Sequence, residues 1–369
     1  MKVALIHEWF SEVAGSEKCV AEFNTLYPQA DVFALVDWLN NEQRAQVLDG
    51  KSVHTSFIQH LPFSEKKFRH YLPLFAFAIE QFDLTDYQLV LSSSHAVAKG
   101  VITHHEQLHV CYCHTPMRYA WDMYHQYLHD AKLEKGIKSW LIRYTLHRLR
   151  QWDVLSSSRV DHFIANSHYI KKRIKKVYNR DATVIYPPVN TTAFQLQTQK
   201  DNYYLAFSRL VPYKRIDLIV QAFANTRHKL IVVGNGPELD RLKTLATANI
   251  DFLGYQKDGV IIQLMQNAKA LVFAALEDFG IIPVEAQACG TPVICLNQGG
   301  TAETVLSGQT GVHFAEQTVA SIKNAIAVFE QQQDSFDPYF IQQFAQQFST
   351  QQFRSNIANH LKQLMETCQ

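Results

Sequence analysis

The chain lacks an excess of charge of either sign. Its 369 residues include 35 Lys+Arg and 34 Asp+Glu, and this balance excludes a strongly basic nucleic-acid-binding protein. The charges are unevenly divided, because residues 1–200 carry 23 basic and 19 acidic side chains and the remainder carries 12 and 15. A mildly basic N-terminal half is compatible with contact to an anionic surface.

Long apolar runs and low-complexity bulk are also missing. No window reaches about 18 apolar residues, so the sequence predicts no transmembrane helix. The opening residues MKVALIHEWF are predicted to form a strand rather than a signal peptide, because no small-residue cleavage site follows an apolar run. With 14 Gly, 11 Pro and 47% hydrophobic residues, we predict a folded globular protein and not a disordered or collagen-like one.

Metal-binding patterns are absent as well. There is no C-x-x-C pair and no Asp-x-Asp, the pattern that a divalent-ion-dependent nucleotide-sugar site would need. We therefore expect no metal and no cofactor. Six cysteines are predicted to be reduced, buried small hydrophobes: Cys19, Cys111, Cys113, Cys289, Cys295 and Cys368.

Short apolar runs alternate with amphipathic stretches along most of the chain, which is typical of helices covering a parallel sheet. In the N-terminal half the predicted strands are residues 3–7, 31–36, 89–94, 109–114, 162–167 and 182–186. In the C-terminal half they are residues 203–208, 229–233, 250–253, 270–274 and 292–296. The pattern predicts an α/β protein.

The length predicts two domains, and Pro187-Pro188 marks the boundary because proline interrupts both ladders and helices. We predict an N-terminal, acceptor-side Rossmann-like domain over residues 1–188, a linker over 189–199 and a C-terminal Rossmann-like domain over 200–335. Apolar residues recur at helical spacing in the Gln-rich tail, which predicts one or two helices at about 338–369 that pack back on the first domain. The two doubly wound domains are expected to face each other across a cleft, where the carboxyl ends of the strands bind ligands.

The segment ALEDFGIIPVEAQACGTPV is the most informative of the chain. It runs from a strand end through Glu277 into a helix whose first turn holds a proline. Backbone N–H groups at Gly280 and Ile281 make that helix start a natural anion site. Acids beside an anion site, Glu277 and Glu285, are better explained as acceptors for sugar hydroxyls, so a ligand with phosphate and sugar is indicated. The alternative is a helix-capping Glu277 with an exposed Glu285.

Basic side chains follow the first strand of the C-terminal domain. Arg209 and Lys214 lie in the run SRLVPYK. The planar guanidinium group of the arginine and the ammonium group of the lysine could bind a diphosphate and neutralise its charge as it leaves. The alternative is that both are solvated surface residues.

Two candidates lie in the N-terminal half. Gly15 and Ser16 form a turn between the first strand and first helix, where backbone can approach a phosphate closely. His114 follows a strand in CYCHTPMRYAWD, and the aromatic residues after it suit stacking on a sugar face. Glycine is common in such turns, and most of the 17 histidines are expected to be structural or solvent-facing.

Together these motifs resemble family 4 of the retaining glycosyltransferases, which have the GT-B fold. The resemblance covers nearly the whole chain and is carried by Glu277-x7-Glu285 with Phe279-Gly280, Arg209 and Lys214, Gly15, His114, and Gly234-Asn235-Gly236-Pro237. The runs SSSHAVAKGV, CYCHTPMRYAWD and ANSHYIKKRI are similar to the bacterial O-antigen and capsule mannosyltransferase branch. Ala14 departs from the pattern, because the family often has a second glycine in the first turn.

The resemblance implies roles for individual residues. Arg209 and Lys214 would hold the diphosphate leaving group, Glu277 would hold donor-sugar hydroxyls, and His114 would contact a sugar hydroxyl near the reacting carbon; these four would be the catalytic set. Glu285 would bind the ribose hydroxyls. The remaining donor contacts would come from Gly15, Ser16, Gly234, Asn235, Gly254, Tyr255, Phe279, Gly280 and Ile281, and the acceptor side would include Ser94, His95, Tyr119, Trp121 and Asp122.

The implied activity is a metal-independent, retaining transfer of a hexose, with mannose from GDP-mannose as the leading donor, to a lipid-linked saccharide in O-antigen or capsule biosynthesis. A UDP-sugar donor carrying GlcNAc, glucose or galactose is one alternative, and a non-catalytic nucleotide-sugar-binding scaffold is another. An inverting GT-B transferase is a third. An NAD enzyme is disfavoured, because Leu239 stands where a dinucleotide fingerprint starting at Gly234 has its third glycine.

Two net basic amphipathic segments, residues 65–82 and 132–153, are candidates for peripheral contact with a membrane, since anionic headgroups attract such faces. The alternative is core packing with a solvated outer face. The expected localisation is cytoplasmic. If the basic segments bind a membrane, the protein is expected to attach peripherally to the inner face of the bacterial inner membrane.

Overall fold

The computed structural model describes residues 1–367, and it divides the chain into two compact units. The first unit is Met1–Pro187 together with the segment that starts at Arg354. It is built on a seven-stranded sheet in the order β3-β2-β1-β4-β5-β6-β7, and all of the neighbouring strands are parallel. The strands are β1 Val3–His7, β2 Asp31–Ala34, β3 Val53–Thr55, β4 Leu89–Ser94, β5 Leu108–Cys113, β6 His162–Ala165 and β7 Ala182–Val184.

The second unit is Pro188–Phe353 and carries a six-stranded parallel sheet in the order β10-β9-β8-β11-β12-β13. Its strands are β8 Tyr203–Phe207, β9 Lys229–Val233, β10 Ile250–Gly254, β11 Ala270–Phe273, β12 Val293–Leu296 and β13 Gly311–Phe314. The predicted α/β class with two Rossmann-like sheets is therefore confirmed. Strands β3 and β13 were not predicted, because VHT and GVHF are too short to show a period.

Helices connect the strands in both units. In the first they are α1 Gly15–Leu26, α2 Asn41–Leu48, α3 Ser64–Lys67, α4 Leu72–Ile79, α5 Tyr124–Asp130, α6 Ile137–Ser156 and α7 His168–Tyr178. The later ones are α8 Ile216–Phe223, α9 Leu239–Leu245, α10 Asp258–Asn267, α11 Ile281–Ala288, α12 Thr301–Thr304, α13 Val319–Gln332, α14 Pro338–Ala345 and α15 Thr350–Thr367.

Local sequence explains why these elements form. β1, VALIH, is buried along its full length, as expected for a strand covered on both faces. Helix α7 begins at a Ser167 side chain that accepts the Ile170 N–H at 3.1 Å, and its apolar face buries Ile170, Ile174 and Tyr178. The lysines of YIKKRIKKVY lie on the other side, so the basic character of this helix belongs to its solvated face.

The C-terminal segment forms two helices, α14 and α15, and only the second reaches the first unit, whereas the whole of residues 338–369 was expected to pack there. Helix α14 packs on α11 within the second unit, where the Gln342 side chain donates to the Ala288 carbonyl at 3.2 Å and Ile341 is fully buried. The Val189 N–H donates to the Phe348 carbonyl at 2.9 Å, so the segment predicted as a linker is paired with residues before α15. Only the part from Arg354 onward belongs to the first unit, where Arg354 forms an ion pair with Glu22 on α1.

Five cysteines are buried and free, as predicted: Cys19, Cys111, Cys113, Cys289 and Cys295. Cys368 lies outside the described residues. Among residues 1–367, no helix is both long and apolar enough to cross a membrane.

Candidate active site

A charged pair joins the ends of two neighbouring strands in the second unit. Lys214 lies in a short 3-10 turn, Pro212–Lys214, after β8, and Glu277 lies four residues after β11. Their side chains form an ion pair although only 14% and 20% of their surfaces are exposed. Because β8 and β11 are adjacent and parallel, both residues stand at the carboxyl edge of the sheet, where open α/β sheets bind ligands.

The loop after Glu277 leads into α11 through Gly280, whose φ of 88° is left-handed. The loop lies against Gly299 and Gly300, two glycines that the sequence analysis did not identify. The Gly300 N–H donates to the Glu277 carbonyl at 2.8 Å, and a Cβ added to Gly300 would lie 2.2 Å from Phe279 Cα. Close backbone contact therefore requires a glycine at 300 and fixes the position of Glu277.

The glycine turn after β9 supports the segment that carries Arg209. The Leu210 N–H donates to the Asn235 carbonyl at 2.9 Å, and a Cβ on Gly234 would lie 1.8 Å from the Ser208 carbonyl oxygen. The Gly234 N–H in turn donates to the Gly254 carbonyl at 2.9 Å. The predicted donor-site residues Gly234, Asn235 and Gly254 are therefore linked by backbone hydrogen bonds within this region. The side chain of Arg209 is exposed.

Other predicted donor contacts have distinct surroundings in the second unit. The Phe279 ring is buried against Phe348, with ring centroids 5.5 Å apart, so its side chain belongs to the core and its backbone alone is available to a ligand. Ile281 is the first residue of α11, and Glu285 lies one turn later, partly exposed. Tyr255 is 76% exposed just after β10.

In the first unit, His114 stands at the end of a hydrogen-bonded chain of side chains. Its Nε2 lies 2.8 Å from Ser93 Oγ, Ser93 Oγ lies 3.2 Å from His7 Nδ1, and His7 Nε2 lies 3.0 Å from Glu17 Oε1. The other Glu17 oxygen accepts the Ala14 N–H at 2.9 Å and the Ser16 hydroxyl at 3.0 Å. The predicted phosphate turn and the predicted sugar-contacting histidine are therefore parts of one network.

Electrostatics within that network are set by burial and by the partners. Burial alone would raise the pKa of the Glu17 carboxyl, but the His7 hydrogen bond and charge outweigh it and lower the pKa to about 2. For His114, burial and then the nearby His95 and His7 lower the pKa to about 3. At neutral pH Glu17 is a carboxylate and the His114 imidazole is neutral.

Glu8 is a second buried acid that the sequence analysis missed. It is fully buried, and its carboxylate accepts hydrogen bonds from the Ser94 hydroxyl and from four successive N–H groups, residues 95–98, at 2.7–3.0 Å. Burial raises the pKa of the Glu8 carboxyl. The charge of His95 and the hydrogen bonds from these N–H groups lower it by more than burial raises it, so the net shift is downward. Glu8 and His7 directly follow an apolar run, the same signal that singled out His114.

Three predicted acceptor-side residues make contacts inside the first unit. Trp121 Nε1 donates to Asp153 Oδ2 at 2.7 Å, and Asp122 forms an ion pair with Arg173. Burial raises the pKa of the Tyr119 phenol, and the ring lies 6.0 Å from that of Tyr127. Ser94 and His95 donate to Glu8 as described above. Both Ser94 and Trp121 are thus held by structural hydrogen bonds.

Comparison with known proteins matches both units. The model of "Glycosyltransferase Family 4" matches residues 19–193, and the model of "Glycosyl transferases group 1" matches residues 190–345. The chain belongs to glycosyltransferase family 4. The resemblance inferred from its motifs is therefore confirmed.

Several relatives of this glycosyltransferase are mannosyltransferases. An alpha-1,3/1,6-mannosyltransferase of Candida glabrata is 28% identical over 229 residues, covering 47% of this chain and 49% of that protein. The O-antigen chain mannosyltransferase RfbU of Salmonella typhimurium is 28% identical over 197 residues, with 50% and 55% covered. The chain thus matches about half the length of these relatives.

Solved structures match the glycosyltransferase over its whole length. HepE of Anabaena in complex with UDP has a TM-score of 0.72 at 20% identity, covering 98% of this chain and all of that one. Sucrose-phosphate synthase from Thermosynechococcus elongatus has a TM-score of 0.72 at 15% identity, with 99% of each chain covered. The likeness establishes the GT-B fold.

Proposed function

We propose that the protein transfers a hexosyl unit from a nucleoside-diphosphate sugar, with retention and without a metal ion. The observation that carries the proposal is the Lys214–Glu277 pair at the carboxyl edge of the second sheet, beside a loop that leads through Gly280 into the N-terminus of α11. A cation, a carboxylate and free backbone N–H groups in one place suit a ligand that carries both phosphate and hydroxyl groups.

The chemistry follows from the charge that develops during transfer. Cleavage of the bond between the anomeric carbon and the diphosphate leaves negative charge on the diphosphate and positive charge on the sugar ring. Lys214, Arg209 and the α11 N-terminus would stabilise the diphosphate, and a positioned group of this kind contributes about 3–4 kcal/mol. In this proposal the two basic side chains take the role that a divalent ion has in other transferases.

Glu277 would act after an exchange of partners. In the structure its carboxylate is paired with Lys214, whereas a bound diphosphate would compete for the ammonium group. A carboxylate released from Lys214 can accept hydrogen bonds from sugar hydroxyls. Binding of the diphosphate and orientation of the sugar would therefore be coupled through this one ion pair.

His114 would serve as a hydrogen-bonding group for the sugar and not as a proton donor to the leaving group. Its imidazole is neutral at neutral pH because its pKa lies at about 3, so it has no imidazolium proton to give to the leaving group. The acceptor hydroxyl would attack the anomeric carbon from the face that the diphosphate leaves and would pass its proton to the departing diphosphate oxygen, which gives retention without an enzyme nucleophile.

Mannose from GDP-mannose is the proposed donor. Support comes from relatives whose names specify mannosyl transfer, including a GDP-mannose-dependent phosphatidylinositol monomannoside mannosyltransferase of Mycolicibacterium smegmatis, 33% identical over 33% of this chain and 37% of that protein. A UDP-sugar donor is the second candidate, since HepE of Anabaena was crystallised with UDP and with UDP-glucose. Pocket shape decides between isomeric hexoses.

A lipid-linked saccharide used in O-antigen or capsule synthesis is the proposed acceptor, bound at an anionic membrane. The first unit exposes Phe63 (79%) just before the first basic segment, and Ile137 (82%) and Trp140 (65%) within the second. Trp140 stacks on Tyr144 with centroids 5.8 Å apart. Aromatic side chains beside lysines suit a bilayer interface with anionic headgroups.

Vesicle sedimentation tests the membrane contact. We expect the protein to sediment with vesicles that contain phosphatidylglycerol and not with pure phosphatidylcholine, and the Ile137→Ala/Trp140→Ala variant to lose most of this binding. Tyr339→Ala, which removes an aromatic ring 65% exposed in the second unit, is the matched control and should bind as wild type. Equal binding by both variants contradicts the proposed surface.

Thermal-shift titration with GDP, UDP, ADP and their sugar conjugates tests the donor site. A ligand at 100 times its Kd stabilises the folded state by about 2.7 kcal/mol, so a selective shift with GDP-mannose is expected. A selective shift with a UDP-sugar would show that the donor is a UDP-sugar and not GDP-mannose, and the proposed hexosyl transfer would stand. Binding of a nucleotide sugar without hydrolysis or transfer to any lipid-linked acceptor would favour a scaffold.

A further inference from the structure

The loop that follows β4 is folded around one buried carboxylate. Glu8, the residue after β1, is fully buried, and it accepts the N–H groups of residues 95–98 at 2.7–3.0 Å. Backbone N–H groups can only donate, and they face both carboxylate oxygens, so they favour the ionised form. The Ser94 hydroxyl therefore donates to Glu8 across 3.0 Å, while its oxygen accepts the Lys99 N–H at 3.3 Å.

Both oxygens of Glu8 are needed to hold this loop. Oε2 accepts the Val97 N–H at 2.8 Å, and Oε1 accepts the N–H groups of Ala96 and Ala98 at 2.7 and 3.0 Å. In Glu8→Gln the side-chain NH₂ would face a backbone N–H in either orientation of the amide. Two donors that face each other leave a buried polar group without a partner, so glutamine cannot replace the carboxylate without movement of the loop.

The first residue of this loop, His95, carries an imidazole at the carboxyl edge of the sheet. Its N–H donates to Glu8 at 3.0 Å, and the residue is partly exposed. Its ring centroid lies 4.8 Å from that of Trp9 and 6.4 Å from that of His114. Within residues 1–367, neither ring nitrogen of His95 forms a hydrogen bond with another residue. Both nitrogens are therefore available to a ligand.

The position of His95 relative to His114 suits contact with the acceptor. In the proposed function His114 contacts a donor-sugar hydroxyl near the anomeric carbon, and the attacking hydroxyl of the acceptor must reach that same carbon. A side chain about 6 Å from His114 at the same edge lies within reach of the acceptor sugar. An imidazole in any protonation state can bond to a hydroxyl, because a hydroxyl both donates and accepts.

We propose that Glu8 is a positioning residue for transfer, which holds the backbone of residues 94–98 and thereby places the His95 imidazole beside His114 to bind a hydroxyl of the acceptor saccharide. The part that concerns the acceptor rests on the proposed function. The hold on the loop rests only on hydrogen bonds within the first unit. Glu8 itself touches no substrate in this inference, because it is fully buried.

Amide hydrogen exchange of the full chain, followed by NMR, tests the hold on the loop without any assay of activity. We expect the amides of residues 95–98 to exchange at least tenfold faster in Glu8→Gln than in the wild type. Glu80→Gln is the matched control. Its Oε1 alone accepts both the Trp152 indole at 2.8 Å and the Arg159 guanidinium at 2.6 Å, so an amide oxygen can replace it and the loop should exchange as in the wild type. Unchanged exchange in Glu8→Gln would overturn the proposal.

Kinetics with a lipid-linked acceptor test the role of His95. We expect kcat/KM for the acceptor to fall about tenfold in His95→Ala, from the loss of about one hydrogen bond. Donor hydrolysis without acceptor should stay within about twofold of the wild type. Glu8→Gln should show a similar loss, and the double variant should lose no more than the weaker of the two single variants, because residues that act through each other are non-additive. Losses that multiply in the double variant would overturn the positioning role.

His95→Ala keeps every hydrogen bond of Glu8, since His95 contributes through its backbone, so this variant tests the acceptor contact even if Glu8→Gln fails to fold. Glu8→Asp, which keeps two accepting oxygens on a shorter side chain, should then retain more acceptor kcat/KM than Glu8→Ala. Wild-type acceptor kinetics in His95→Ala, or a raised donor KM with slower donor hydrolysis, would overturn the acceptor contact. Absence of transfer by the wild type to any acceptor would refute the proposed function instead, and the exchange rates would still decide whether Glu8 holds the loop.

Discussion

At the scale of single residues, the second unit keeps its two key charges in contact with each other. Lys214 lies 5.3 Å from the Tyr213 ring centroid as well as against Glu277, so the ammonium group is held by an aromatic face and a carboxylate at once. Partly exposed ion pairs contribute little to stability. Removing either charge should therefore affect ligand chemistry far more than folding.

We predict that Lys214→Ala and Glu277→Ala each reduce kcat for transfer by about 10²–10³, the usual effect of removing one group that stabilises developing charge. The melting temperature should stay close to that of the wild type. Steady-state assays of transfer and donor hydrolysis check the first claim, and calorimetry checks the second. Lys229→Ala, which removes an exposed lysine paired with Asp251, is the control and should keep wild-type kinetics.

A buried ion pair in the first unit behaves differently. Lys99 and Asp153 are 1% and 0% exposed at their side chains, and Asp153 also accepts from the Trp121 indole and the Tyr178 hydroxyl. Because both charges are withdrawn from water, each depends on the other for compensation.

We predict that Lys99→Met lowers the free energy of unfolding by about 3–5 kcal/mol, since it leaves the Asp153 carboxylate buried without its cation. Urea unfolding measures this loss. The same change at Lys175, whose partner Asp181 is 88% exposed, should cost less than about 1 kcal/mol. Equal losses at both positions would show that burial of the pair does not matter.

At the scale of elements, loops that rest on glycines position the site. The turn at Gly234 and Gly236 lies against the backbone of residues 208–210, and Gly299 and Gly300 lie against residues 277–279. Each pair brings two loops from different strand ends into backbone contact. These glycines hold the segments that carry Arg209 and Glu277.

We predict that Gly234→Ala destabilises the protein by more than about 3 kcal/mol and weakens donor binding. The new Cβ would overlap the Ser208 carbonyl oxygen, and the backbone φ of 133° is unfavourable for alanine. Gly308→Ala separates the two effects, because Gly308 has a φ of 78° and nothing within 4 Å; it should cost about 1–2 kcal/mol. Chemical unfolding and nucleotide titration measure both variants.

Most strands could be predicted at this scale, and the C-terminal segment could not. Strand β4, LVLSSS, matches the prediction residue for residue because an apolar run ends in small polar residues. The tail has helical spacing throughout, but periodicity does not reveal which core an amphipathic helix covers. The tail divides after Phe353, and the hydrogen bond between Val189 and Phe348 keeps its first part in the second unit.

At the scale of the whole molecule, each unit has its own sheet and its own buried core. The first unit buries His109 in strand β5, where burial disfavours the charged imidazolium. His109 Nδ1 donates to the Arg159 carbonyl at 3.1 Å and Nε2 lies 2.8 Å from Ser92 Oγ. Burial lowers its pKa to about 4.

We predict that acid destabilises the first unit through this group. The unfolded chain binds a proton at a pKa of about 6.5 and the folded chain only at about 4, so stability is complete above pH 6.5 and falls as the pH drops toward 4. Between pH 7 and 5, His109 should account for about 2 kcal/mol. Urea unfolding of His109→Gln should show a pH dependence smaller by that amount, while His129→Gln, at an exposed residue, should follow the wild type.

The amino-acid sequence alone predicts the α/β class, the two parallel sheets, the family, and the carboxyl-edge positions of Glu277, Lys214 and His114, because these depend on local periodicity and on which residues follow each strand. Which side chains meet depends on the folded arrangement of the strands. Ser93 joins His7 to His114 because β4 lies between β1 and β5 in the sheet, and Gly300 supports Glu277 because β12 is paired with β11. Contacts between residues far apart in the chain depend on strand order, and a residue's own neighbours in sequence do not encode that order.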